Sequence, residues 1–294
     1  MRLRWFTRFL YGVPNGVENG ARAYIGRENA ATIQNADYPN PAAAPVTLHP
    51  RPGGHRTGAL TLDGPGQGIE IVWDNVGFPG RSLADMSSES RLVYATEVLR
   101  SPLHLSGWTR VDVRMSASKP AANLSVWLVA LPIRVGSPTQ NVITRGWADP
   151  QNHASLTGAR RHYDAIATGT PLVPGQFYTF SFYLEPDDQI IPAGKQLGVM
   201  IMSSDQEFTL WPQPGTELTV GADSALNLIV AAFIVSMLTS APASARAETT
   251  GSTRSCSSAG PTRSAPGRVD SPPMSRMWAP CSRSRRPCAT AVSA

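Results

Sequence analysis

Apolar side chains at the start of the chain recur at helical spacing: Leu3, Phe6 and Leu10, with Trp5 and Phe9 beside them. The spacing predicts one short helix over 2–11, stopped by Gly12 and Pro14. A helix of that length is marginal alone in water. Its wide apolar face therefore needs a surface to pack against. Beyond it the period drops from 3.6 to 2, and short apolar runs alternate with clusters of Gly, Pro, Asn and Asp as far as Val220. The clearest strands are expected over 109–116, where Val111, Val113 and Met115 share a face, and over 123–130, 177–184 and 196–202. Weaker ones are expected over 22–27, 46–48, 59–62, 69–74, 92–97, 141–144, 207–210 and 217–220. Short strands at irregular spacing, with 26 prolines in the chain, predict an all-β antiparallel sandwich or jelly roll preceded by one short helix. No strong internal repeat interrupts the pattern.

The periodicity ends near Ser240. Of the 55 residues from there to Ala294, 37 are Ser, Ala, Arg or Pro. Such a segment buries too little apolar surface to offset the entropy of ordering it, so 240–294 is expected to be a disordered tail. Its eight Arg face only Glu248 and Asp270. The chain's formal +5 therefore sits in the tail, and residues 1–239 carry about −1. A nucleic-acid face needs basic residues clustered on a folded surface with aromatics to stack bases, and this distribution excludes it. Cys256, Cys281 and Cys288 all lie in the tail as well, so the body has no thiol for a disulfide or a metal.

Two segments resemble targeting signals. In MRLRWFTRFLYG, Arg8 interrupts the apolar run and no small-residue cleavage site follows. A cytoplasmic location is then the default expectation. The apolar run 228–238 is eleven residues long, too short to span a bilayer, and reads as a last core strand. No membrane partner is expected.

Common catalytic signatures are missing. There is no G-x-S-x-G elbow, no Gly-rich phosphate loop, no G-x-G-x-x-G and no H-E-x-x-H helix, and no cofactor is expected. The most suggestive polar cluster is RGWADPQNH over 145–153, in which Asp149 and His153 are close enough to pair. With no nucleophile in sight, it reads instead as a structural loop shaped by Gly146 and Pro150, with Arg145, Trp147, Asp149 and His153 as its polar and aromatic members. EPDDQ over 185–189 has the look of a carboxylate or calcium cluster, but it follows a strand and turn chemistry explains it. His49, His55, His104 and His162 are scattered. Trp73, Trp108, Trp127, Trp147 and Trp211 are candidates for a sugar-binding platform, although buried tryptophans are the commoner case in a sandwich.

Several phrases together resemble the C-terminal domain of the Xaa-Pro dipeptidyl-peptidase and cocaine-esterase-like serine hydrolases: RWFTRFLYGVPNGV (4–17), RLVYATEVLRSPLHLSG (91–107), SKPAANLSVWLVALP (118–132), RGWADPQNH (145–153), LVPGQFYTFSFYLEPDDQIIPAGKQLGVMIMSSDQEFTL (172–210) and PGTELTV (214–220). The similarity covers about residues 2–222. It implies a galactose-binding-like jelly roll over 18–224, with 1–17 as the closing helix and linker of an α/β-hydrolase domain that carries the catalytic serine, aspartate and histidine. That domain is the implied partner, and no triad residue carries over to a position here. Docking would run through Trp5, Phe6, Phe9 and Leu10. The resemblance also implies another strand or two after PGTELTV, where this chain passes into an apolar segment over 225–239 and then the tail. Such a tail composition is what GC-rich DNA encodes when read out of frame, so a truncated or frameshifted fragment is expected. Three functions compete: a non-catalytic support domain of a dipeptidyl-peptidase or esterase, a free-standing jelly-roll module for carbohydrate marked by exposed coplanar aromatics, and a non-functional remnant. Homo-oligomer formation stays open.

Overall fold

The computed structural model describes residues 2–27, 31–77, 87–132, 141–157, 168–223 and 226–233. The tail over 240–294 and His162 lie outside them. The helix α1, Arg2–Phe9, forms where the 3.6 period is strongest and is followed by a single 3-10 turn, Val17–Asn19. Fifteen strands follow among the described residues. β1 (Ala23–Ile25) and β2 (Ile33–Asn35) pair only with each other, in a small hairpin. The rest join one large mixed sheet of thirteen strands that folds into two layers.

One layer is built from β10 (Val142–Ala148), β9 (Leu124–Leu131), β13 (Gln196–Met202) and β6 (Leu92–Ala95), in that order. The other centres on β8 (Arg110–Ala117), flanked by β11 (Tyr178–Tyr183), β14 (Glu217–Gly221) and β15 (Asn227–Phe233). β7 (Leu103–Gly107) continues the line of β8, and it pairs with β12 (Asp187–Ile191) and with the end of β15. The registers thus describe three long strands, each broken once: β7 into β8, β11 into β12, and β14 into β15. The first two breaks coincide, since the Leu184 N–H bonds the Thr109 carbonyl at 2.8 Å. β5 (Ile69–Trp73) lies outside β14, and β3 (Ala44–Pro50) lies beside β15. β4 (Gly58–Thr61) pairs antiparallel with β3 and parallel with β6, and this corner joins the layers.

The sequence pattern explains why the layers differ. In β8, β11 and β14 every second residue is apolar, and Val111, Val113, Met115, Phe180, Phe182, Leu218 and Val220 point into the shared core. Their opposite faces carry Arg110, Asp112, Arg114 and Ser181, joined by Arg110–Asp112 and Ser181–Asp112 hydrogen bonds. This is the one-face-dry pattern of antiparallel sheets. β9, LSVWLVAL, is buried on both faces. Its inward Leu124, Val126 and Leu128 join the main core, while Trp127, Val129 and Leu131 join Val93, Met200 and Met202 in a second apolar cluster on the far side of the sheet.

Several strands differ from the pattern-based expectation. The segment 207–210 is a tight turn, because the Phe208 and Thr209 N–H groups bond the Asp205 carbonyl at 3.0 and 2.9 Å. EPDDQ is only partly a turn: Asp187 onward is strand β12, since Ile191 has a place in the core and the register with β7 outweighs local turn propensity. β10 runs on through Arg145 and Trp147, which the sequence placed in a loop. β2 and β7 carried too few alternating residues to be seen. The apolar run after 226 supplies β15, a strand between β3 and β8 that lies beyond residue 224.

Candidate functional site

The densest polar-aromatic arrangement stands at the β10 edge of the first layer. Arg145 lies opposite Trp127 and Trp147 opposite Ser125, so Trp127, Arg145 and Trp147 share the sheet's outer face. Asp205, three residues past the end of β13, is buried beside them. One of its oxygens accepts from both indoles, Trp127 Nε1 at 2.8 Å and Trp147 Nε1 at 3.0 Å. The Arg145 guanidinium stacks 4.5 Å from the Trp127 ring and 5.1 Å from Phe208. Phe208 in turn lies 5.1 Å from Trp147 at 31°. The planar groups thus stack upon one another in a layered pile pinned by a carboxylate. β10 approaches the backbone at Leu184 so closely that a Cβ on Gly146 would sit 2.9 Å from the Leu184 Cα. Only glycine fits there.

Asp149 and His153 belong to the next turn. Asp149 caps the 3-10 turn Pro150–Asn152, accepting from the Gln151 N–H at 2.9 Å. His153 stacks on Tyr178 with centroids 4.7 Å apart. No hydrogen bond joins the two, and the loop brings neither of them to a nucleophile among the described residues.

A Ser, a His and an Asp do converge elsewhere, at positions the sequence left apart. Asp188 Oδ1 lies 2.9 Å from His104 Nε2 and 2.6 Å from Arg27 Nε. Ser106 contacts the same carboxylate, and its Oγ accepts from the Asn40 N–H at 3.1 Å. In a Ser-His-Asp triad the imidazole stands between hydroxyl and carboxylate, so that it can take the nucleophile's proton. Here the carboxylate stands in the middle and Ser106 is buried, so the order is wrong for nucleophilic catalysis. Burial acts to raise the Asp188 pKa, but the hydrogen bonds from Ser106, His104 and Arg27 outweigh it and hold the group below the usual carboxylate range. Nearby, burial first and the charges of Asp187 and Asp188 second push the Tyr38 phenol up to about 12. The Tyr38 hydroxyl donates to the Asp187 carbonyl at 3.2 Å. The node fastens the β1–β2 hairpin and its flanks to β7 and β12. Asp187 and Asp188 are adjacent in a strand and point to opposite faces, so the two do not converge as a calcium site needs.

A third node is structural on its face. Glu70 accepts from the Gly53 and Gly54 N–H groups at 2.9 and 2.8 Å and from the Tyr94 hydroxyl at 2.6 Å. Burial raises the Tyr94 phenol, and the Glu70 carboxylate adds to that. Buried Arg91 donates to the Gly54 and Arg56 carbonyls.

The helix presents a different picture. Arg4 and Asn15 hold each other's backbone carbonyls at 2.5 and 2.7 Å, and Arg8 pairs with Glu18 at 2.9 Å. These bonds lock α1 to the segment after it. Yet Trp5, Phe6, Phe9 and Leu10 are each about half exposed or more. Trp5 packs on Phe6 and Phe9, at 5.4 and 4.9 Å, so the aromatics cover one another and little else.

The family model for the X-Pro dipeptidyl-peptidase C-terminal non-catalytic domain matches residues 15–246. A protein of Rhodopirellula baltica named Putative Xaa-Pro dipeptidyl-peptidase is 44% identical over 228 residues, 75% of this chain and 35% of that one. Its namesake in Bacillus anthracis is 30% identical over 220 residues, 74% of this chain and 34% of that one. The chain thus spans about a third of the length of these relatives. Among solved structures, an aminopeptidase from a marine-sediment Thaumarchaeota archaeon superposes with TM-score 0.59 at 17% identity, covering 80% of this chain and 43% of the other. A CocE/NonD family hydrolase from Staphylococcus aureus superposes with TM-score 0.58 at 12% identity, covering 79% and 45%. At those identities the likeness is one of fold.

Proposed function

The chain belongs to the X-Pro dipeptidyl-peptidase C-terminal non-catalytic domain family, and from that premise we propose that it acts as the support domain of a serine hydrolase, holding an α/β-hydrolase domain and bordering its substrate cleft. The parent reaction would be release of Xaa-Pro dipeptides or hydrolysis of an ester. In this reading the sandwich is a galactose-binding-like jelly roll that begins near residue 18, and residues 1–17 close the hydrolase domain and link it to the sandwich. In the same reading none of the described residues enters the chemistry. The nearest approach to a triad has its carboxylate and imidazole in the wrong order, and removing the base from its place between nucleophile and acid removes the proton transfer that catalysis needs.

The observation that carries the reading is α1. Four large apolar side chains, Trp5, Phe6, Phe9 and Leu10, stand about half exposed or more on a helix that Arg4, Arg8, Asn15 and Glu18 tie to the segment after it. Full burial of such a side chain is worth roughly 1.5 to 3 kcal/mol, and covering the exposed half of each about half that. An exposed apolar face of that size suits a partner domain. A free-standing carbohydrate module is the competing reading, and it needs aromatic rings lying side by side. Trp147 and Phe208 are instead tilted by 31° against each other with centroids 5.1 Å apart, which favours the support domain.

The test is a chimera in which this chain replaces the matching third of the Rhodopirellula baltica relative. The chimera should unfold in one transition and turn over Ala-Pro-p-nitroanilide. Phe6→Asp should split the transition in two and lower turnover. A chimera indifferent to Phe6→Asp would show that the helix does not dock the hydrolase domain.

A further inference from the structure

The turn after β13 joins a rigid base to an apolar tip. At the base, Ser125 Oγ donates to the Ser203 carbonyl at 2.7 Å, and the Ser204 N–H donates to Asp74 at 2.8 Å. Asp205 is fixed by the two indoles through its side chain and by Thr209 Oγ1 through its N–H, at 2.9 Å. Asn123 Nδ2 bonds both Ser204 Oγ and the Leu210 carbonyl. Lys119 reaches the Pro214 carbonyl from the same side. The backbone on either side of the tip is therefore held in place before any partner arrives. At the tip Leu210 is 90% exposed and Trp211 is 64% exposed. Half-exposed Phe208 and Trp73 flank the base; Trp73 is the neighbour of the Asp74 that holds Ser204.

This combination is uneconomical in a surface that meets only water. A large apolar side chain on a preordered backbone loses little entropy on binding, which is how interface hot spots gain affinity, and Trp is the residue most enriched among them. The tip also bears almost no charge: from Gln206 to Gly215 the one ionisable side chain is Glu207. Nucleic acid and other polyanions are thus poor matches, and an apolar protein pocket is a good one. About two thirds of each relative's length lies outside the part this chain matches, so a large polypeptide accompanies this domain in those proteins.

We propose that residues 206–211 are a docking element, with Leu210 and Trp211 inserting into an apolar pocket of the hydrolase domain and Asp205 acting as the positioning residue that presents them. The inference rests on the hydrolase partner proposed above and adds a second contact remote in sequence from α1.

Hydroxyl-radical footprinting read by peptide mass spectrometry tests it, applied to the 294-residue chain and to the chimera. In the chain alone Trp211 should be oxidised freely, and in the chimera its oxidation should fall to the level of buried Trp127. Trp211→Ser should leave the melting temperature of the chain unchanged, because the side chain touches little there. In the chimera it should shorten the half-life of activity at elevated temperature about tenfold, the usual scale for truncating a hot spot. A chimera that melts in one transition while Trp211 stays fully reactive, or one that does not respond to Trp211→Ser, overturns the docking role of the turn and leaves the support-domain reading standing. Two separate melting transitions with Trp211 reactive in both proteins would overturn both.

Discussion

Replacing Asp205 by alanine should be among the costlier single changes in the first layer. The carboxylate is the acceptor for two indole N–H groups, at 2.8 and 3.0 Å. Trp127 is 2% exposed, so its N–H would have no water to turn to, and leaving a buried donor unpaired costs about 1 to 3 kcal/mol. Trp147 is only half-buried, and its N–H can find water at a loss of about 0.5 to 1 kcal/mol. Against these stands the desolvation cost of the buried carboxylate itself, which the substitution removes. The net is about 2 kcal/mol. For a domain of this size, about 2 to 4 °C accompanies each kcal/mol, so the melting temperature should fall by about 4 to 8 °C. Near-ultraviolet circular dichroism is the appropriate assay, since it follows the tryptophans whose order is at stake. Asp205→Asn retains an acceptor oxygen and should cost about half as much, since a neutral acceptor makes the weaker hydrogen bond. If Asp205→Ala melts within a degree of the parent protein, the carboxylate is not what holds the aromatic pile together.

Other consequences follow from the same geometry. Gly146→Ala should destabilise by about 1 to 3 kcal/mol in urea titration, because the added methyl meets the backbone at Leu184; an unchanged midpoint would mean that β10 can shift aside. Asp188 has a folded-state pKa below its ordinary 3.8, so its stabilising contribution is complete above that value and is lost as the pH falls through the lower folded value. Unfolding free energy measured from pH 6 to pH 2 should drop below about pH 4, and Asp188→Asn should flatten that drop; an unaltered acid limb would contradict the Arg27–Asp188–His104 node.

Local pattern carried the parts of the fold that local pattern can carry. α1 was legible because five apolar side chains fall on one helical face, and β8 because Val111, Val113 and Met115 alternate with Asp112 and Arg114. β12 was not, since Glu185-Pro-Asp-Asp carries turn chemistry and only the register with β7 reveals its true state. The turn at 206–209 was misread for the converse reason: Phe208 and Leu210 alternate like a strand, while Asp205 and Thr209 close the backbone into a turn. The functional candidates were harder still. Trp147 was singled out, but its bond to Asp205 spans 58 positions, that of Trp127 to Asp205 spans 78, and Arg27 meets Asp188 across 161. Nothing local marks such pairs. The one available signal was an aspartate three residues past the end of an apolar strand in a chain rich in tryptophan.

Under the proposed function the chain supports a hydrolase without performing hydrolysis. That proposal is tested most directly by turnover of Ala-Pro-p-nitroanilide by the purified 294-residue protein, with and without a serine-reactive fluorophosphonate. The expected result is release of p-nitroaniline at the uncatalysed rate and no effect of the reagent, because the described residues assemble no nucleophile, base and oxyanion hole of the kind that supplies the rate enhancement. Turnover above that rate and abolished by the reagent would contradict it.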